Sequence, residues 1–465
     1  MTTLLVDAPP SRGSRRLLPT LPPPAPTVDR LPRYGIAALA GAGVLAACYT
    51  RAFDVIGQRV GLPSLFVPAS VAVAVALAWS SARRLRARSR ALVPVLVLAI
   101  VHVLMGVSTV LWATDRDVAL TVSRFAAFDA VLMVMVALLV VDTDSLRLSL
   151  FGVVAGGAAM ATLSVFQYLT GRFDQDFFGF ATAPLANVVG EVDSNRIAGP
   201  IGDPNFFAQL LAVSAVLAAH LARHSRRRSH AVALWAASSI CVAGVLFSFS
   251  RGGLFSLVVG FALMSLLEPV PLHRVVGVGV ALLLVVVFVV PDDLASRLGQ
   301  LKELIPGVKT SQNLVNDPAL RGRQSEALVA VEQFTDHPLL GVGAGNYKVE
   351  YQRYAARLGI DQRGEDRSAH SLYLETAAEH GLVGLVVLFA VIGWAIGSLR
   401  SARRRLVALG DRHGAAVLRA TMLGLVTYLV GGLFLHSAFP LMLWMMLAIA
   451  IAAGRVHATT PTRRS

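Results

Sequence analysis

The chain has 465 residues, of which 55% are hydrophobic and only 15% are charged, and its mean hydropathy is +0.64. Soluble globular domains average about half apolar and about a quarter charged residues, so this composition excludes an ordinary soluble enzyme. The formal net charge of +14 would suit a nucleic-acid-binding protein, unless the positions of the basic residues have another explanation.

Apolar runs recur along the whole chain, each close to the ~20 residues that a helix needs to cross ~30 Å of hydrocarbon. They predict an all-α polytopic membrane protein with about twelve transmembrane helices. In chain order the predicted helices cover residues 34–49, 65–79, 91–112, 121–141, 148–170, 206–221, 231–249, 253–267, 275–290, 382–399, 416–435 and 439–453.

The basic residues fall mainly between predicted helices on one side of the membrane. If both termini are cytoplasmic, the cytoplasmic segments carry 24 Lys and Arg against 6 Asp and Glu, with the largest groups at 83–90, 223–228 and 400–405. Cytoplasmic loops of membrane proteins are enriched in Lys and Arg in this way. Membrane topology therefore explains the net charge, and we expect a multi-pass protein of the cytoplasmic membrane with no nucleic-acid partner.

The predicted helices divide the chain into five parts. We expect a disordered cytoplasmic tail at 1–33, helices one to nine over 34–290, an external loop domain over 291–380, helices ten to twelve over 381–453, and a second cytoplasmic tail at 454–465. Inside the loop domain, helical spacing covers 323–334 and 347–358. The loop domain should therefore be a helical cap between helices nine and ten.

Two kinds of short motif resemble cofactor sites. The glycine run at 341–345 is similar to a dinucleotide fingerprint, but no predicted strand precedes it. The D-x-D triplets at 142–144 and 174–176 match a pattern that holds divalent metals in many sugar transferases. We interpret the first triplet as a solvated turn and keep metal binding by Asp174 and Asp176 as a minor alternative. We otherwise predict neither a cofactor nor a metal site.

Few ionisable residues lie inside the predicted helices, where charges are costly. His102 and Asp129 lie on neighbouring helices at comparable depth and could form a pair. Arg419 lies near a helix end, from which its side chain can reach the membrane surface. Cys48 and Cys241 are expected to be buried hydrophobic residues rather than a disulfide.

Isolated arginines lie at or just outside the external ends of predicted helices, among Gly, Pro and Ser residues. Arg196 opens the segment R-I-A-G-P-I-G-D-P-N, Arg251 lies in F-S-R-G-G, and Arg321 and Arg323 form R-G-R before the first cap helix. The planar guanidinium donates two parallel hydrogen bonds to phosphate oxygens. Together these arginines could bind a lipid-linked diphosphate, whereas singly each could be an interfacial anchor or an ion-pair partner.

His370 opens the segment H-S-L-Y-L-E-T-A-A-E-H-G, which leads into predicted helix ten. This position places the imidazole at the membrane surface, facing the cap. A pKa near neutrality suits a general base. The alternative is a histidine at a helix entry that forms a hydrogen bond within the cap, in which case Glu375 or His436 is the next candidate for the base.

The segment from about 148 to 384 resembles the O-antigen ligase and Wzy-type polymerase family of bacterial envelope proteins. The resemblance lies in R-I-A-G-P-I-G-D-P-N-F-F-A at 196–208, in F-S-R-G around Arg251, in R-G-R and H-P-L-L-G-V-G-A-G-N-Y between 321 and 347, and in H-S-L-Y-L-E followed by H-G at 370–381. The last segment is the most specific of these.

The resemblance implies an inverting, metal-independent membrane glycosyltransferase of GT-C-like architecture. Such an enzyme takes a glycan from an undecaprenyl-diphosphate carrier and transfers it to an acceptor hydroxyl at the outer face of the membrane. By matching motif, Arg251 and Arg321 would bind the diphosphate and His370 would activate the hydroxyl. Arg196 and Arg323 are weaker transfers, and nothing in the sequence marks the acceptor.

Three alternatives stay open. A Wzy-type polysaccharide polymerase and a SEDS-type cell-wall polymerase would have related architectures. A flippase or exporter of lipid-linked sugars would also need arginines for phosphate, but it should carry them through the midplane of the membrane. Here they cluster at the predicted outer face, which favours the transferase.

Overall fold

The computed structural model describes residues 35–61, 65–79, 85–189, 192–268, 318–360, 367–436 and 440–456. These residues form fourteen α-helices: α1 (Ile36–Tyr49), α2 (Ala52–Val60), α3 (Phe66–Trp79), α4 (Leu85–Thr109), α5 (Arg116–Leu139), α6 (Thr143–Leu169), α7 (Pro204–Arg223), α8 (Arg228–Phe247), α9 (Arg251–Leu267), α10 (Pro318–Asp336), α11 (Asn346–Arg357), α12 (Leu372–Ala408), α13 (Arg412–Gly431) and α14 (Pro440–Ala453). The predicted helix at 275–290 and the loop at 291–317 lie outside the described residues, as does most of both tails.

Seven of the described helices are long and apolar enough to span a membrane. Helices α1 and α2, which are bent by 75° relative to each other, are together long and apolar enough to form one broken span. Helices α3, α9 and α14 are shorter and apolar. The prediction of a helical polytopic membrane protein is confirmed, while the count of twelve spans stays a prediction. Eleven of the twelve predicted helices correspond to described ones, but predicted helix ten is longer than expected, because α12 runs from Leu372 to Ala408.

Helix α7 lies at the centre of the bundle, and 94% of the residues in its apolar 18-residue stretch are buried. It is apolar on every side, as expected for a helix surrounded by other helices. It packs against α6, α8, α9 and α13. Asp203 is the N-cap of α7, and its carboxylate accepts hydrogen bonds from the amides of Asn205 and Phe206. This N-cap determines which α7 residues lie at this end of the bundle.

A kink divides α12 at Gly381, whose φ is +63° and ψ −159°. Backbone hydrogen bonds join residues 338–343 to residues 378–383 at this kink. A Cβ at Gly381 would lie 2.4 Å from the backbone of Leu339, and a Cβ at Gly341 would lie 2.3 Å from the backbone of Glu379. The glycine run at 341–345 therefore begins where two backbones pack closely, which accounts for glycine there without a nucleotide.

Helices α10 and α11 form the described part of the cap and match the predicted helical stretches. Their shared apolar cluster consists of Val329, Ala330, Tyr347, Tyr351, Tyr354, Ala355, Ala369 and Ala378. On the surface, Arg357 of α11 pairs with Glu332 and Asp336 of α10. Helix α10 ends at Asp336, just before His337-Pro338, where the sequence predicts a break. The last two residues of the cluster lie next to and within α12, so the cap is packed onto the start of that helix.

A short hairpin lies between α6 and α7, where the sequence predicts only a loop. Strand β1 (Leu185–Val189) pairs antiparallel with β2 (Val192–Asn195). Neither strand alternates polar and apolar residues, so the pattern that indicates a half-buried strand is missing. Together with an isolated bridge between Thr182 and Gly199, the hairpin departs from an all-α architecture, and β2 leads directly to Arg196.

The expectations for the membrane interior are largely confirmed. Nε2 of His102 lies 3.2 Å from Oδ2 of Asp129, which joins α4 to α5. Cys48 and Cys241 are buried and unbonded. Arg419 lies in an ion pair, 2.8 Å from Oε1 of Glu268 at the end of α9, and its reach to the membrane surface stays a prediction.

Candidate functional site

His370 lies two residues before α12 rather than at its first helical position. Ser371 is the N-cap of α12, and its hydroxyl accepts a hydrogen bond from the amide of Leu374 at 3.5 Å. The backbone of His370 is left-handed, with φ +45°. A non-glycine residue in this region is strained by ~1–2 kcal/mol, and such strain is often found at functional sites. The amide of Leu372 donates to the carbonyl oxygen of Gly432 at 2.8 Å, which ties this segment to the end of α13.

The Nδ1 atom of His370 is held by groups of the protein. It lies 3.0 Å from the carbonyl oxygen of Ser368 in a hydrogen bond, and 2.8 Å from Oε2 of Glu326 as an ion-pair contact. The Glu326 side chain is 1% exposed, and its Oε1 lies 2.9 Å from Nη1 of Arg367. A buried carboxylate thus joins cap helix α10 to the histidine, whose side chain is still 29% exposed.

A second histidine, His436, lies beside the first. The two rings are T-shaped with centroids 5.4 Å apart, and the edge of His436 also meets Phe206 of α7 at 5.2 Å. Nδ1 of His436 is buried and has no hydrogen-bond partner in the described part of the chain. His436 was named from the sequence only as a substitute base.

The two histidines have opposite pKa shifts. Burial lowers the pKa of His370, but the Glu326 carboxylate outweighs this effect, so the pKa lies above its usual value even though Arg323 opposes the shift. Burial, together with the positive charges of His370 and Lys348, lowers the pKa of His436 to about 3. Because a stronger base accepts a proton more readily, His370 is the better general base of the two.

Arg196 connects two segments of the site. Its Nε donates to the carbonyl oxygen of Ser248 at 2.8 Å, and its Nη2 donates to Oδ1 of Asn205 at 3.1 Å. Asn205 lies in the first turn of α7, next to the Phe206 ring that contacts His436. Arg196 therefore lies at the same end of the bundle as His436, where it holds the chain before α9 against the start of α7, and its role in binding the diphosphate stays a prediction.

Arg251 is the first residue of α9 and is exposed. The N-cap Ser250 accepts a hydrogen bond from the amide of Gly253 at 3.1 Å. Next to Arg251, a Cβ at Gly252 would lie 2.9 Å from Cβ of Phe434, which precedes His436 by two residues. The start of α9, with the partial positive charge of a helix N-terminus, is thus packed against the loop that carries the second histidine.

Arg321 and Arg323 both lie in the first turns of α10. Arg323 is half-buried and close enough to His370 to oppose its protonation. It precedes Glu326 by three residues, a spacing that places two side chains on the same face of a helix. The side chain of Arg321 lies outside what the structure describes, so its role stays a prediction.

The acidic triplets have roles in local structure. Asp142 caps α6, where its carboxylate accepts from the amide of Ser145 at 2.8 Å, so the first triplet is a helix cap rather than a solvated turn. The Asp176 carboxylate contacts the guanidinium of Arg59 in α2. One aspartate of each triplet therefore has a partner within the protein.

A different group with possible metal ligands lies at the far end of α7. Ligand atoms of His220, His224 and Glu268 lie within 4.8 Å of one another. The carboxylate of Glu268 is already in contact with Arg419 at 2.8 Å and lies 3.9 Å from Arg223. Two neighbouring guanidinium groups repel a cation, so this group fits an ion-pair cluster better than a metal site.

Two residues of the site were not identified from the sequence. Glu326 and Arg367 are far from each other along the chain, and each looks like an ordinary charged residue of a loop domain. The one available signal was the three-residue spacing from Arg323 to Glu326.

Residues 236–389 match the family model Wzy_C, described as O-Antigen ligase. The matched segment runs from α8 into α12 and includes Arg251, Arg321, Arg323 and His370, whereas Arg196 lies before it. No curated protein matches the chain. The chain is therefore a multi-pass membrane protein that carries a Wzy_C O-antigen ligase domain at residues 236–389.

Proposed function

We propose that this protein is a membrane glycosyltransferase that moves a glycan from an undecaprenyl-diphosphate carrier to an acceptor hydroxyl. The observation that carries the proposal is the arrangement around His370, whose Nδ1 is held by protein groups while its ring lies among segments that bear arginines. The family match over residues 236–389 supports a lipid-linked glycan as the donor.

The proposed reaction is a single displacement. The acceptor oxygen forms a bond to the anomeric carbon of the donor sugar, and the bond from that carbon to the diphosphate oxygen breaks with its electron pair. Nε2 of His370 takes the hydroxyl proton, because Nδ1 is occupied. Attack from the face opposite the leaving group inverts the anomeric configuration.

The arginines would neutralise the charge of the departing diphosphate. Arg251 supports this role best, since it is exposed at the N-terminus of α9, where the helix dipole also favours an anion. We assign Arg321 the same role because its R-G-R motif resembles that of the family. The contacts of Arg196 support a role in holding the site together, and Arg323, close to His370, would help to keep that histidine neutral before reaction. Such a set of cations makes a divalent metal unnecessary for the proposed step.

The proposed orientation places this site at the outer face of the cytoplasmic membrane, with both termini in the cytoplasm. The argument is the charge asymmetry of 24 Lys and Arg against 6 Asp and Glu in the segments then facing the cytoplasm. In this orientation α12 crosses the membrane from the site to the basic group at 400–405. The arrangement would be GT-C-like, with twelve spans and the cap outside. Labelling of cysteines introduced into α11 by an impermeant reagent, in intact cells, tests it.

A polymerase is the second candidate, because it would use the same donor and base with a growing glycan as acceptor. Surface glycans of a strain that lacks the protein distinguish the two. Accumulation of full-length polymer on the lipid carrier indicates a ligase, and accumulation of single repeat units indicates a polymerase. If neither accumulates and surface glycans are unchanged, the proposed function is wrong.

A further inference from the structure

We propose that Glu326 is a positioning residue for His370, holding its proton on Nδ1 so that Nε2 faces the acceptor hydroxyl as the basic nitrogen. The inference rests on the proposed function, because it assigns a role in the same reaction. It adds to Arg321 and Arg323 a third residue of cap helix α10, outside the segment at 370–381 that carries His370.

The first support is the geometry of the carboxylate. Oε2 of Glu326 lies 2.8 Å from Nδ1 of His370, and Oε1 lies 2.9 Å from Nη1 of Arg367. The side chain is 1% exposed, so little water competes for either oxygen. A carboxylate at this position can stabilise an imidazolium beside it through its charge.

The second support is the rigidity of the segment that carries Glu326. The hydroxyl of Tyr347 in α11 donates to the backbone carbonyl oxygen of Glu326 at 2.8 Å. The Tyr347 ring is completely buried in the apolar cluster of the cap. Glu326 is therefore fixed by the core of the cap, as an orienting group must be if it is to hold a base in one direction.

The third support is the chemistry at Nδ1. Nδ1 is in a hydrogen bond with the Ser368 carbonyl oxygen, which can only accept, so the proton of neutral His370 resides on Nδ1. Oε2 of Glu326 lies 2.8 Å from the same atom as an ion-pair contact outside hydrogen-bond geometry, and its negative charge also favours a proton there. Nε2 then carries the lone pair. When Nε2 takes a proton during transfer, the carboxylate stabilises the imidazolium that forms, as the acid does in a serine hydrolase triad.

The groups that face His370 do not offer a substitute. Arg323 approaches from α10, Arg367 from the segment before His370, and His436 from the loop after α13. The two arginines disfavour an imidazolium, and neutral His436 adds no negative charge. Glu326 is the carboxylate in ion-pair contact with His370 among the described residues.

The test is Glu326→Gln in the full-length protein, reconstituted in liposomes with a lipid-linked glycan donor. The amide can donate to Nδ1 and so favours the wrong tautomer. We expect kcat to fall by at least ~10-fold and up to ~10⁴-fold, the loss found when the triad carboxylate of a hydrolase becomes an amide, while KM for the donor changes little. The acidic limb of the pH–rate profile should move to lower pH, because the anion that raises the pKa of His370 is gone.

Glu350→Gln is the matched control. Glu350 is another buried carboxylate of the cap, 5% exposed and 3.0 Å from its own arginine partner, Arg353, on α11. The Glu350→Gln variant should lose the stability contributed by this ion pair, but its kcat and the acidic limb of its pH–rate profile should match those of wild type. A purely structural role for Glu326 would lower the amount of active protein without moving that limb.

The outcomes separate the inference from the proposed function. If His370→Gln is inactive while Glu326→Gln keeps the kcat and the pH profile of wild type, the positioning role is wrong and the base survives. If the wild-type protein transfers no glycan, the proposed function fails and the inference fails with it. If Glu326→Gln does not fold, Glu326→Asp is the second variant, because its side chain is one methylene shorter and moves the carboxylate away from Nδ1 of His370. An unchanged pH–rate profile in Glu326→Asp also overturns the inference.

Discussion

The rings of His370 and His436 meet edge to face at 5.4 Å, yet within the described part of the chain only His370 has a carboxylate at its Nδ1 atom. The contact with Glu326 raises the pKa of His370, whereas burial and nearby positive charge lower the pKa of His436 to about 3. The two neighbouring imidazoles therefore differ in basicity because one has a carboxylate beside it and the other is buried near positive charge. This difference favours His370 over His436 as the general base of the proposed reaction.

His436→Phe should leave glycan transfer within about 10-fold of wild type, since a general base contributes about 10²–10⁴-fold and His436 is too weak a base to act as one. Phenylalanine keeps the ring that packs against Phe206 and removes a buried Nδ1 without a described partner. The thermal midpoint in detergent should be unchanged or slightly higher. A loss of activity as large as that of His370→Gln would move the catalytic role to His436.

Arg251→Lys keeps the positive charge at the start of α9 but loses the bidentate geometry for phosphate. We expect a fall of at least ~10-fold in transfer, together with weaker binding of the lipid-linked donor, from the loss of hydrogen bonds to a charged group worth roughly 1.5–3 kcal/mol. Stability should hardly change, because the side chain is exposed. Transfer and donor binding are measured in the same liposomes.

Arg353→Lys is the control for this substitution. Its side chain is 71% exposed on α11, in an ion pair with Glu350. It should retain the activity of wild type. If Arg251→Lys behaves in the same way, Arg251 is an interfacial anchor only.

Gly381→Ala should destabilise the docking of the cap on α12. A Cβ at this position would lie 2.4 Å from the backbone of Leu339, and the positive φ adds strain. Gly359→Ala isolates the strain, because Gly359 has φ +65° and no atom within 4 Å of a built Cβ. We expect ~1 kcal/mol for the control and several times that for Gly381→Ala, measured by equilibrium unfolding in detergent. Equal effects would show that the close backbone packing is unimportant.

Much of the helical framework could be predicted from the sequence. Apolar runs revealed the long spans because the bilayer imposes a minimum length on each helix. The break at Asp336 followed from the local effect of proline, and the pairing of His102 with Asp129 followed from the cost of charge in hydrocarbon. These features depend on local sequence or on the membrane, so they can be predicted without knowledge of the tertiary fold.

The parts that could not be predicted depend on contacts between distant segments. Glu326 meets His370 only because α10 packs against the start of α12, and hydrophobic periodicity carries no information on that partner. The use of Arg196 to hold Ser248 and Asn205 is likewise a property of the assembled bundle. The hairpin could not be predicted because its strands do not alternate polar and apolar residues.

The most direct test of the account is His370→Gln in the reconstituted transfer assay, with donor binding measured on the same preparation. Glutamine preserves hydrogen bonding but is not a base. We predict normal insertion and normal donor binding, with transfer reduced by about 10²–10⁴-fold, because no base is left to take the proton of the acceptor hydroxyl. Retention of most transfer activity by His370→Gln would contradict the account and leave His370 as a structural residue at the entrance to α12.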